Sequence, residues 1–146
     1  MSDVNPKALI EAAREAAKNA YAPYSSFAVG AAVLLSDGTV VTGANFENAS
    51  YGLSLCAETV ALAKTSSDGR LKDVVAIGVI GGRMGHADTA PVSPCGRCRQ
   101  IINEAAQLGG RDLPVFCGGA TGDEIAEYTL SQLLPAAFGP KDLGLA

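Results

Sequence analysis

Three thiols and one carboxylate stand where metal chemistry could be done. Cys95-Gly-Arg-Cys98 is a Cys-x-x-Cys pair directly after Pro94, and Cys56 lies 39 positions earlier in Cys56-Ala57-Glu58. Zinc takes thiolates readily. Three protein ligands leave its fourth tetrahedral position open to water, the arrangement of a catalytic site, whereas a structural site closes with a fourth ligand. Cys56 and Cys95 each open a stretch that reads as a helix. A helix N-terminus stabilises negative charge and lowers a thiol's pKa towards the thiolate that zinc requires. Glu58, two residues from Cys56 and in the first turn of that helix, could reach a zinc-activated water without binding the metal and move its proton. Simpler roles stand beside these. A Cys-x-x-Cys alone can be a redox pair, which leaves Cys56 without a role. A first-turn glutamate alone can merely complement the helix dipole. Cys117 sits alone in an apolar run and reads as core, and His86, the sole histidine, reads as solvated.

The surrounding sequence supplies the elements that must hold these groups. Residues 5–20 read as a helix, with Leu9, Ile10, Ala13, Ala16 and Ala17 as its apolar stripe and Asn5-Pro6 as its start. The runs 27–35 and 39–44 flank Ser36-Asp37-Gly38 and read as a hairpin. A loop rich in Asn, Ser, Gly and Tyr covers 45–55, and 56–64 is a helix. Residues 74–80 read as a strand buried on both faces, 81–92 as a loop, 95–108 as a helix and 113–117 as another buried strand. A short strand near 125–128 and a helical turn at 130–134 close the chain. This order predicts one α/β domain over residues 1–146, a three-layer α/β/α sandwich around a mixed central sheet.

Composition narrows the function. The chain is 48% hydrophobic and 18% charged, enough for one core, and its net charge of −4 argues against a nucleic-acid partner. No run approaches the roughly 20 apolar residues of a membrane span, so no membrane partner is expected. Met1 to Lys7 lacks the basic-then-apolar pattern of a signal peptide. A cytoplasmic protein with reduced cysteines is the expectation.

The ordered set Cys56-Ala-Glu58 and Pro94-Cys95-Gly-Arg-Cys98 matches the zinc base-deaminase pattern in which cysteine replaces histidine. The segments Tyr24 to Gly30, Asn45 to Gly52, Ser93 to Gln100 and Leu133 to Phe138 resemble the homotetrameric cytidine deaminases, from about residue 20 to about residue 140. The resemblance implies a Zn²⁺ cofactor on Cys56, Cys95 and Cys98. It also implies hydrolysis of cytidine or 2′-deoxycytidine at C4 with release of ammonia, in pyrimidine salvage. Glu58 would protonate N3 and then the leaving amine. Asn45 and Glu47 would hydrogen-bond the ribose 3′-hydroxyl, and Phe27 would pack beside the nucleoside. Ala49 to Tyr51 and Phe138 would contribute across subunit boundaries of a homotetramer. These roles suit the residue types: a site built for a hydroxyl rejects analogues lacking it, and an aromatic offers a flat base a stacking surface. Asn45 and Glu47 could instead cap their own loop. Phe27 could be core, and Phe138 could anchor the C-terminal turn.

One departure stands out. Such deaminases commonly carry arginine directly after Cys-Ala-Glu, offsetting by hydrogen bonds to sulfur the −1 charge of three thiolates on Zn²⁺; here the position is Thr59. Thr59 is expected to be unable to do this. Arg97 is expected to take over, with Arg99 as the competing candidate. Two rivals remain. Blasticidin S deaminase shares the cysteine pattern and a similar arginine placement, although Asn45-x-Glu47 favours a true nucleoside. A non-enzymatic zinc module would use Cys117 as a fourth ligand and leave Glu58 idle.

Overall fold

A computed structural model describes residues 4–146, so the first three residues of the Met1–Lys7 stretch lie outside the described residues. Helix α1 spans Pro6–Ala17. Asn5 caps it, its side chain accepting from the Ala8 amide at 3.1 Å, and Pro6 occupies the first turn, where no amide hydrogen is needed. The helix ends three residues before the expected position 20, in a turn at 18–19.

Strands β1 (Phe27–Leu35) and β2 (Val40–Ala44) form the hairpin, with Gly38 at φ +90° in its turn. Helix α2 (Ala57–Ser67) leads to β3 (Val74–Arg83), and α3 (Gly96–Gly109) leads to β4 (Pro114–Gly119). Then follow β5 (Ile125–Thr129) and the single turn α4 (Leu130–Leu133). The strand order is β2-β1-β3-β4-β5, and only the β3–β4 pair, joined through α3, is parallel. The mixed sheet and its helical crossover are as the sequence predicts.

Strand alternation divides β1 between two cores. Ala32 joins Leu9, Ile10 and Ala13 of α1 on one face, together with Ala76, Ile80 and Phe116. Ala31, Val33 and Leu35 join Ala57, Ala61 and Leu62 of α2 and Ile102 and Ala105 of α3 on the other. The result is the three-layer α/β/α sandwich. Two glycines let helices lie directly on strands. A Cβ at Gly30 would come within 1.9 Å of the Ala13 carbonyl oxygen, and one at Gly43 within 2.6 Å of the Ala57 carbonyl oxygen. The Gly43 contact seats the first turn of α2 on β2 and so fixes the height of Cys56 and Glu58. Among the described residues, no helix is long and apolar enough to cross a membrane.

Candidate active site

Cys56 and Cys95 are the N-caps of α2 and α3, each with extended backbone and no side-chain cap hydrogen bond. Both helices therefore begin one residue later than their cysteine. The Sγ atoms of Cys56, Cys95 and Cys98 lie within 4.8 Å of one another, with Cys56 and Cys95 at 3.8 Å. A tetrahedral zinc with bonds of about 2.3 Å sets sulfurs about 3.8 Å apart, so the three fit the ion. A hydrogen bond from the Cys98 thiol, helped by Cys95 and the charge of Arg97, lowers the Cys56 pKa to about 6. That same interaction with Cys56, together with burial, raises the Cys98 thiol.

No other group of three or more His, Cys, Asp or Glu converges this way among the described residues. Cys117 lies in β4, buried with Val79 and Val115. Burial pushes its thiol up to about 12, and it stands apart from the three converging sulfurs, in the core. The closed four-cysteine site does not form.

Glu58 is only 3% exposed, yet it lines a cavity of about 240 Å³ together with Cys56, Cys95, Val29, Asn45 and Glu47. Burial pushes its pKa up to about 7. The 45–55 loop is pinned near both ends, with a 3-10 turn at Tyr51–Leu53 between them. The Tyr21 amide donates to Asn45 O and the Glu47 amide to Tyr21 O, both at 2.9 Å, while Phe46 and Leu55 exchange backbone hydrogen bonds. Alternation places Asn45 and Glu47 towards the cavity and Phe46 towards solvent.

Both polar residues are also structural. Asn45 Oδ1 accepts from the Val29 amide and Nδ2 donates to the Phe27 carbonyl, each at 2.9 Å, which fastens the loop to β1. Glu47 Oε1 accepts from the Tyr24 and Ser25 amides at 3.0 and 3.1 Å, and Oε2 accepts from the Ser25 hydroxyl. These bonds, the Ser25 hydroxyl foremost, hold the carboxyl below its ordinary pKa and keep it ionised.

The family model for the cytidine and deoxycytidylate deaminase zinc-binding region matches residues 4–108. The chain belongs to the cytidine deaminase family. It is 52% identical over 136 residues to a cytidine deaminase of Halalkalibacterium halodurans, covering 92% of this chain and 95% of that one. It is 43% identical to the cytidine deaminase of Mycobacterium tuberculosis, covering 98% and 96% respectively. The crystal structure of a cytidine deaminase from Burkholderia pseudomallei superposes with a TM-score of 0.79 at 44% identity, over 92% of this chain and all of that one. The zinc-binding family and the three converging cysteines together make zinc the cofactor of this cytidine deaminase family member.

The remaining expected residues fall in different places. Phe27 does not line the cavity. Its ring lies over Gly81, where a Cβ would come within 3.0 Å of Cε2. Tyr51 lines an adjoining hollow of about 310 Å³ that shares Glu47 and Ser54 with the cavity, and it packs on Tyr24 with ring centroids 5.5 Å apart. Tyr51 is 73% exposed and Phe138 62% exposed; Phe138 and Ala49 lie outside both hollows.

Thr59 differs from expectation, and the two arginines take different places. Arg99 is spent on the Pro94 and Leu133 carbonyls, at 2.7 and 3.0 Å, and on the Ser93 hydroxyl. Arg97 is exposed, with Nη1 3.5 Å from the Ser54 carbonyl, and its charge acts on Cys56. Thr59, expected to be unable to serve the ligand sulfurs, places its hydroxyl 3.4 Å from Cys98 Sγ. It does so because the first turns of α2 and α3 abut, a relation that is invisible along the chain.

Sequence reasoning also missed Val29, Leu55, Val92 and Ser93 as cavity walls. The 81–92 segment explains the last two. Its first three residues continue β3, and Asp88 then folds it back, accepting from the Arg83 amide at 2.8 Å and from its guanidinium at 2.8 and 3.1 Å. The Thr121 amide donates to Asp88 O and the Val92 amide to Gly118 O, delivering Val92 and Ser93 to the cavity.

Proposed function

We propose that this chain hydrolyses cytidine and 2′-deoxycytidine to uridine and 2′-deoxyuridine, releasing ammonia, in the salvage of pyrimidine nucleosides. The observation that carries the proposal is a single cavity whose wall holds two of the three clustered cysteines, the buried Glu58, and the fixed polar pair Asn45 and Glu47. Cys56, Cys95 and Cys98 would hold the zinc, which when bound would supply Lewis-acid activation of water. Glu58 takes one proton from the attacking water and passes it to N3 as the C4–O bond forms, then takes the second from the C4 hydroxyl and passes it to the 4-amino group as the C4–N bond breaks and ammonia leaves. The ionised Glu47, fixed by three hydrogen bonds, and Asn45 beside it hydrogen-bond the ribose 3′-hydroxyl. Phe27 supports the base side from behind, through the strand it opens. Arg97 offsets part of the negative charge of the thiolates.

The active unit is a homotetramer in which Ala49, Tyr51 and Phe138 of neighbouring subunits complete each pocket. The exposure of Tyr51 and Phe138 on a single chain supports this, since large apolar side chains left exposed are available as contacts between subunits. Four free cysteines support a reducing, cytoplasmic setting.

The test is turnover of cytidine, deoxycytidine, cytosine and blasticidin S followed by ultraviolet absorbance. Fast conversion of the two nucleosides, with cytosine and blasticidin S left behind, is expected. Conversion of blasticidin S alone would overturn the nucleoside assignment and keep the metal chemistry.

A further inference from the structure

We infer that Thr59 is a positioning residue for the metal site, its hydroxyl donating a hydrogen bond to the Cys98 sulfur. Cys98 is fully buried, and a buried charge left without hydrogen-bond donors is costly. Outer-shell donors orient metal ligands and tune the metal. The candidate donors can be sorted by where they point. Arg99 is committed to two carbonyls and a hydroxyl, and Arg97 reaches the Ser54 carbonyl at the surface. Thr59 Oγ1 is 3.4 Å from Cys98 Sγ.

The direction of that bond follows from chemistry. A sulfur that ligates zinc is a thiolate and can only accept, so the hydroxyl must donate. The orientation of Thr59 is also a choice. A helical threonine commonly turns its hydroxyl back to the carbonyl four residues earlier. Thr65, on the same helix, does so to Ala61 O at 2.8 Å. For Thr59 that carbonyl is Leu55 O, which already accepts from the Phe46 amide, and the hydroxyl faces Cys98 instead. A neutral donor leaves the net charge of the site unchanged. It draws electron density from one of the three sulfurs and fixes the Cys98 side chain between the two helices.

The inference rests on the three cysteines being the zinc ligands. The test compares Thr59→Val, which keeps the branched shape and loses the hydroxyl, with Thr59→Ser, which keeps the hydroxyl. Zinc affinity is measured by competition with a chromophoric chelator, and the thiolate-to-metal charge-transfer band is recorded with Co²⁺ in the site. The expected result is a roughly 10- to 100-fold loss of zinc affinity in Thr59→Val. A shift of the Co²⁺ band to lower energy should accompany it, because the unbonded sulfur donates more strongly. Thr59→Ser should match the wild type in both. If Thr59→Val does not fold, Thr59→Ala is read in its place. Wild-type affinity and an unshifted band in the hydroxyl-free variant would overturn the role of Thr59, as would failure of Thr59→Ser to restore them. If the zinc assignment itself were wrong, the wild type would hold zinc no better than the cysteine variants do.

Discussion

The sulfurs of Cys56 and Cys95 lie 3.8 Å apart although 39 residues separate them in the chain. Each is the N-cap of a helix packed on the same face of the sheet, and Cys98, one turn into the second helix, completes the cluster. Cys117, the fourth cysteine, packs in the sheet with Val79 and Val115. Zinc content should separate these roles. Cys98→Ser should lose most bound zinc, whereas Cys117→Ala should keep it in full and lose only about 1–2 kcal/mol of stability for the vacated space. Metal analysis and chemical denaturation read the two effects. Zinc loss in Cys117→Ala would revive the closed-site alternative.

Glu47 is tested by sugar dependence. Replacing a charged acceptor with a neutral one forfeits a hydrogen bond worth about 1.5–3 kcal/mol. Glu47→Gln should therefore lower kcat/KM for cytidine by about 10- to 100-fold, chiefly through KM. The slow turnover of cytosine, which has no sugar, should not change. An equal loss on both compounds would mean that Glu47 only shapes its loop.

The shared-pocket arrangement has a mixing test. Phe138→Ala should raise KM for cytidine by about 2- to 12-fold, the range of one lost aromatic contact. Glu58→Gln subunits still carry Phe138, and Phe138→Ala subunits still carry Glu58. After subunit exchange, their mixture should show a low-KM component that neither variant shows alone, measured by steady-state kinetics. If Phe138 served its own subunit's pocket, mixing would only dilute the activity.

Acid stability should depend on the strap between β3 and the following loop. Hydrogen bonds from the Arg83 guanidinium hold the Asp88 carboxyl well below its ordinary value of 3.8. A carboxylate with a depressed folded-state pKa contributes stability that is complete above that ordinary value and is lost as pH falls through it and below. In Asp88→Asn the melting temperature should fall less steeply than in the wild type between about pH 5 and about pH 3. Parallel curves would show that Asp88 adds nothing to the folded state. Asp37, bonded to the Thr39 amide and Arg70, behaves in the same sense and accounts for acid sensitivity remaining in the variant.

The order of elements and the metal ligands could be read along the chain because each is a local signal. Asn5-Pro6 announces α1, Ser36-Asp37-Gly38 announces the hairpin, and the apolar runs announce β3 and β4. Cys-x-x-Cys after a proline, preceded by Cys-Ala-Glu, is a pattern of fixed spacing. What escaped depends on contacts between elements. Thr59 reaches Cys98 only because α2 and α3 lie side by side. Asn45 bonds the backbone of Phe27 and Val29 because the hairpin folds the loop across β1. The register of β1 with β3 turns Phe27 over Gly81, so the aromatic forms the support of the cavity and not its wall. The position of Phe138 within an assembly is likewise beyond what local spacing encodes.

The most direct test of the account is cytidine turnover by Glu58→Gln beside the wild type, at matched zinc content and with melting curves recorded on both. The substitution keeps size and shape at a buried position and removes only the ability to carry the proton. The account predicts that zinc and the melting transition are retained while kcat falls by about 10²- to 10⁴-fold, the usual contribution of a general acid–base group. A variant that holds zinc, melts normally and keeps more than about a tenth of wild-type kcat would contradict it, since proton transfer at that site would then not pass through Glu58.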